Sequence, residues 1–121
     1  MREDSPPPFI VFRTPARTVD VYGKALELVG QLHRMLERAS ARFHLKDRLD
    51  RAATGLVFEI ARGRDEVRQF RWRHYRKAHR LVSDIATILD ILAHQQAAPS
   101  QDLDSSRTLV RELLAELAAL G

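Results

Sequence analysis

The sequence predicts an all-α fold: an antiparallel, up-down-up-down bundle of four helices. Three observations carry that expectation. Four stretches repeat apolar residues at steps of three and four, the pattern of a helix with one buried face. The breaks between them are short and contain Ser40, Gly63 and Pro99-Ser100, residue types that end or start helices. Only one run, Phe9-Ile10-Val11-Phe12, is β-prone, and it is too short and too closely flanked by prolines to build a sheet. At 121 residues, of which 45% are apolar and 30% charged, the chain fits one domain with its own core.

Residues 1–17 read as an extended, proline-rich arm, with Pro6-Pro7-Pro8 and Pro15 bracketing the Phe9–Phe12 run. Two readings of that run stand: it packs along its own bundle, or it docks on a neighbouring subunit. The bundle is expected over residues 18–121.

The first helix is expected at about 18–39, capped by Thr14 or Thr18. Val19, Tyr22, Leu26, Val29, Leu32, Leu36 and Ala39 form its expected inward stripe, widened by Ala25, Leu28 and Met35. Gly23 and Gly30 are seven apart, on nearly one face, where another backbone could come close. Ser40 to His44 form the turn. The second helix is expected at about 45–62, with Leu45, Leu49, Ala52, Ala53, Leu56 and Ile60 inward. Gly63 is expected as its left-handed C-terminal residue, and Asp65 as the cap of the third helix.

The third helix is expected at about 66–95, with Val67, Phe70, Ala78, Leu81, Val82, Ile85, Ile88, Leu89 and Leu92 inward. Pro99 stops propagation, and Ser100 or Asp102 caps a fourth helix at about 103–120. Its inward residues are Leu109, Val110, Leu113, Leu114, Leu117 and Leu120.

Charge is the most uneven property of the chain. Between Arg62 and Arg80 stand eight Lys or Arg against two acids, a local +6 in a chain of net +4. The rest of the chain is therefore −2, and the basic character is one patch. Such a patch suits an acidic partner, nucleic acid first among them. On a helical wheel Arg68, Trp72, Arg73, Arg76 and Arg80 fall away from the apolar stripe, so the sole tryptophan sits among cations. Cations for phosphates and a flat ring for a base are what single-stranded nucleic acid needs. An off-stripe Trp among arginines also suits a subunit interface, and both readings stand. The candidate nucleic-acid-binding residues are Arg64, Arg68, Arg71, Trp72, Arg73, Arg76, Lys77 and Arg80. Arg71 and His74 lean toward the apolar side, at the bundle's end.

Other chemistry is not written in the sequence. A di-iron bundle needs Glu-x-x-His on two helices. Three residues before His33, His44, His74, His79 and His94 stand Gly30, Ala41, Arg71, Arg76 and Ile91. His74 and His79 are five apart, splayed by about 140°, and read as solvated or partner-facing. There is no phosphate loop, no nucleophile elbow and no cysteine. Ser40, Ser83, Ser100, Ser105 and Ser106 read as turn, cap or surface residues. No catalytic residue, cofactor or metal is expected. No secretory signal is visible, and no run approaches the roughly 18 apolar residues of a membrane span. The expected location is the cytoplasm.

Three segments share a residue pattern with a known family. Val19, Val21, Tyr22, Ala25 and Leu28 follow L-x-V-W-x-x-A-x-x-L. Arg48-Leu49-Asp50-Arg51-Ala52-Ala53-Thr54-Gly55-Leu56 and Glu59-Ile60-Ala61-Arg62-Gly63 follow Q-L-R-R-A-A-x-S-I-x-x-N-I-A-E-G. Tyr75, Ala78 and Asp84 hold places in an aromatic-then-A-x-G-S-x-x-E pattern, with Arg80 and Leu81 in place of Gly-Ser. The chain thus resembles the four-helix-bundle family of ribosomal-RNA intervening-sequence proteins and of the accessory variability determinants of diversity-generating retroelements. The likeness runs from about Val19 to Leu92, and over the fourth helix in layout only. Glu59, Arg62 and Arg80 replace the family's Asn, Glu and Gly; the last two add positive charge, a shift toward the basic style of the accessory variability determinants. The resemblance implies a homopentameric barrel. For Avd-like members it also implies binding of RNA or DNA and of a reverse transcriptase during mutagenic copying. For the intervening-sequence branch it implies a structural homo-oligomer.

Overall fold

The structure, a computed structural model, describes residues 16–120, with side chains from Val21 to Leu120. The Phe9–Phe12 run, Thr14 and the side chain of Val19 lie outside the described residues. Among the described residues there are four α-helices: α1 Ala16–Arg38, α2 Phe43–Asp65, α3 Arg71–His94 and α4 Ser100–Leu120. A single 3-10 turn, Arg68–Phe70, leads into α3. Each long helix packs on two others, α1 on α2 and α4, and α3 on α2 and α4, around one apolar core.

The periodicity of α2 and α4 places their cores as expected. Leu49, Ala52, Ala53, Leu56 and Ile60 of α2 are buried, as are Leu109, Val110, Leu113 and Leu117 of α4. In α3 the stripe from Ala78 through Val82, Ile85, Ile88, Leu89 and Leu92 is buried, and Tyr75 joins it.

Several expectations are corrected. Ala16 and Arg17 are helical and belong to α1 rather than to the arm, and Thr18 lies inside it rather than capping it. The core face of α1 is Val21, Ala25, Leu28, Leu32 and Met35, and Ala39 is buried just beyond the helix end. Tyr22, Val29 and Leu36 flank that face, and Leu26 is 48% exposed. Apolar residues cover a wide arc of α1, so period alone does not choose between two adjacent stripes. A Cβ on Gly23 would meet nothing within 4 Å, and one on Gly30 only the Arg34 side chain, so among the described residues no other backbone comes close there.

Gly63 is the clearest correction. It does not end α2, which runs on to Asp65, and no glycine among the described residues has a positive φ. Gly63 is buried because the ring of Tyr75 lies against it. A Cβ there would stand 2.6 Å from Cε1 and 2.9 Å from Cζ of that ring. The residue is small for close approach, not for a left-handed turn. Asp65 is the last residue of α2 and caps nothing in α3. Glu66 and Val67 follow with ψ of 155° and 144°, which breaks the helix and leaves Val67 57% exposed rather than in the core. Phe70, in the 3-10 turn, is half-buried outside the core.

α3 closes with a reciprocal cap. Gln96 has φ 53°, the Gln96 N–H donates to the Ala93 carbonyl, and the Ala97 N–H donates to the Leu92 carbonyl. That is the Schellman arrangement, with buried Ala97 supplying the apolar contact. The Ala97 carbonyl accepts from the Ser40 N–H at 2.8 Å, tying the α1–α2 turn to the α3–α4 loop. α4 begins at Ser100, where the Leu103 N–H donates to the Pro99 carbonyl, so neither Ser100 nor Asp102 stands outside the helix as a cap. Ser106 is fully buried rather than at the surface.

Ion pairs join α1 to α4 along their length. Lys24 meets Glu112 and Glu116, and Arg38 meets Asp102. Among the described residues, no helix is long and apolar enough to cross a membrane.

Candidate nucleic-acid interface

The basic patch divides into two groups once the chain folds. The first group is engaged by the fold. The guanidinium of Arg64 lies 4.5 Å from the centre of the Tyr22 ring and 3.8 Å from Asp65. Arg71 Nε donates to the Glu66 carbonyl at 2.9 Å. His74 sits between two carboxylates, Nδ1 at 3.0 Å from Glu59 and Nε2 at 3.6 Å from Glu66, and is only 20% exposed. Glu59 also holds Arg62 at 3.0 Å. This cluster clasps the end of α2 to the start of α3 across the irregular linker. Arg64 and Arg71 are thus structural cations, and His74 is neither solvated nor partner-facing.

The second group is presented outward. Trp72, Arg73, Arg76, Lys77 and Arg80 line one shallow cleft of about 370 Å³ on the exposed side of α3. Arg68 is exposed in the 3-10 turn just before it. Among the described residues, no carboxylate lies within ion-pair distance of Arg68, Arg73, Arg76, Lys77 or Arg80. The face spans nine residues of helix from Trp72 to Arg80, about 12 Å at the usual rise.

This arrangement works against the isolated protein. Arg73 stands three residues from Arg76 and four from Lys77, and Arg80 three from Lys77 and four from Arg76. Each such like-charge pair costs a helix about 0.2–0.5 kcal/mol. A surface serving only solubility would interleave acids, as Asp47–Arg51 does on α2 with a 3.0 Å ion pair.

Aromatic rings organise the same cations. The Arg73 guanidinium lies 4.6 Å from the centre of the Phe70 ring, and Arg73 and Arg76 each lie 5.8 Å from that of Trp72. Trp72 is 44% exposed, and its ring holds arginines in place. Expected as a platform for a base, it is in this structure a support for two guanidinium groups.

No protein-family model and no curated protein matches the chain.

A second cleft lies on the other flank of the Arg76–Arg80 ridge. It holds about 360 Å³ and is lined by Tyr75, Arg76, His79, Arg80 and Ser83 of α3 with Leu117 and Ala118 of α4. Sequence reading misses it because its two walls are more than thirty residues apart. The signal available was the row Tyr75, His79, Ser83 at four-residue steps, polar beside the apolar stripe. Among the described residues, no group of three His, Asp or Glu side chains is placed to hold a metal ion.

Proposed function

We infer that the chain is a non-enzymatic, homo-oligomeric accessory protein that holds RNA or DNA on the exposed face of α3. The observation that carries this reading is the row Arg73, Arg76, Lys77 and Arg80, presented together without acidic partners among the described residues. A phosphate backbone supplies the counter-charge that the fold withholds. Ordering of Arg73 and Arg76 on aromatic rings lowers the entropy lost on binding.

The residue pattern shared with the accessory variability determinants extends the reading. Five copies form a barrel, each with its helices in up-down-up-down order, and the assembly presents nucleic acid to a reverse transcriptase in the cytoplasm. The up-down order is supported by Lys24 pairing with Glu112 and Glu116 while Arg38 pairs with Asp102, which sets α1 and α4 in opposite directions.

A second reading has its own support. Leu26 on α1 and Phe58 on α2 are 48% and 56% exposed, apolar surface that a neighbouring subunit would cover. It favours a scaffolding homo-oligomer of the intervening-sequence type, in which α3 meets acidic surfaces of neighbouring proteins. Combined Arg73→Glu, Arg76→Glu and Arg80→Glu substitution separates the two. Nucleic-acid binding predicts an oligomer of unchanged mass, by light scattering, that no longer takes up RNA. Scaffolding predicts loss of assembly.

A further inference from the structure

We propose that the cleft between α3 and α4 receives a base splayed out of a single strand whose phosphates lie on the Arg76–Arg80 ridge. The inference rests on the nucleic-acid reading above and adds to it the class of ligand, single-stranded rather than duplex.

Arg76 and Arg80 line both clefts, so a backbone seated on them has the tryptophan cleft on one side and the α3–α4 cleft on the other. The tryptophan cleft is lined by three further groups, of which Arg73 and Lys77 are cationic. It suits phosphate oxygens, and its one ring is already in contact with arginines. The α3–α4 cleft is different in kind. Tyr75 and Leu117, both buried, and the exposed Ala118 give it apolar walls, while His79 and Ser83 supply hydrogen-bonding groups. The Tyr75 hydroxyl is itself buried with no hydrogen-bond partner among the described residues. A base has the same division, an apolar face and a polar edge, and its sugar-phosphate tether would lie on the two arginines. In a duplex the bases are stacked and paired, and reaching this cleft costs a few kcal/mol of unstacking. In a single strand the base is free to enter. The polar groups, His79, Ser83 and the Tyr75 hydroxyl, can each donate or accept, so the cleft accepts bases without strong preference.

The test uses the full chain and two fluorescein-labelled probes of equal length: oligothymidylate, and an oligomer of stable abasic tetrahydrofuran units. Fluorescence anisotropy gives the affinity for each. The native protein is expected to favour oligothymidylate by about tenfold, the usual worth of one seated base. Ala118→Leu fills the cleft from an exposed position and should bring the oligothymidylate affinity down to that of the abasic probe, leaving the abasic affinity unchanged. Ser83→Leu fills it from the other wall and should act alike, with circular dichroism confirming the helical fold of both. Equal native affinity for the two probes, or variants that weaken both or neither, overturns the proposal while leaving the basic face as a binding site. Native protein that binds neither probe overturns the nucleic-acid reading itself, and this inference with it.

Discussion

Replacing Gly63 by Ala tests the packing on which the α2–α3 junction depends. In an open helix the change is favourable, by about 1 kcal/mol, because Ala gives up less backbone freedom on folding. Gly23 is such a site, with nothing within 4 Å of an added Cβ. At Gly63 the same methyl would stand 2.6, 2.9 and 3.0 Å from three ring carbons of Tyr75. Carbon atoms pack at about 3.5–4.0 Å, so ring or helix must shift by close to an ångström. Tyr75 is 3% exposed and has little room to move. Overpacking of that kind costs about 1–3 kcal/mol, which cancels or exceeds the helix gain. Gly23→Ala should therefore raise stability by about 1 kcal/mol in urea denaturation, and Gly63→Ala should fall below it by about 1–3 kcal/mol. In a Tyr75→Ala background the Gly63→Ala penalty should vanish, the two sites being directly coupled. A Gly63→Ala protein as stable as Gly23→Ala would refute the reasoning.

Three further outcomes follow from particular residues. Gln96→Gly should stabilise the fold by about 1 kcal/mol, because a residue with a side chain is held at φ 53° in the α3 cap; a loss of stability on thermal denaturation would count against that cap. Trp72→Ala should weaken nucleic-acid binding by about 1 kcal/mol, roughly fivefold, without changing its salt slope, since the ring orders cations and neutralises no phosphate. Trp72→Phe should bind almost as the native protein does, and an unchanged Trp72→Ala would remove the ring from the account. Lys77→Glu should raise stability by about 1–2 kcal/mol by turning its pairings with Arg73 and Arg80 from repulsive to attractive, while weakening RNA binding; a destabilised Lys77→Glu would mean that the row is not self-repelling.

The fold was legible wherever one apolar stripe dominates, and less so elsewhere. In α2 and α4 the leucines and the isoleucine share one arc of each helix, so spacing alone found Leu49, Leu56, Ile60, Leu113 and Leu117. In α1 two adjacent arcs are apolar, and only the placement of the neighbouring helices shows that Val21 and Leu28 face in and Leu26 out. Gly63 looks like a stop signal in its local context. Its reason is Tyr75, twelve residues on and across a helix junction. The basic face was legible in part for the same cause. A wheel finds Arg73, Arg76, Lys77 and Arg80, because they share one exposed arc. It does not find that Arg64 is held by the Tyr22 ring or Arg71 by the Glu66 carbonyl, because those contacts come from α1 and from a linker the pattern reads as helix. The α3–α4 cleft needs two helices in register and has no counterpart in either alone.

The most direct measurement of the central claim is the affinity for a single-stranded RNA as salt is raised. Four phosphate contacts on a single strand give a slope of about −3 in log affinity against log salt, or roughly a fiftyfold loss between 50 and 200 mM. The account predicts that loss for the native protein, and near-absence of binding for the combined Arg73→Glu, Arg76→Glu and Arg80→Glu protein. Affinity that stays flat over the same range, or a charge-reversed protein that binds as the native one does, would contradict it.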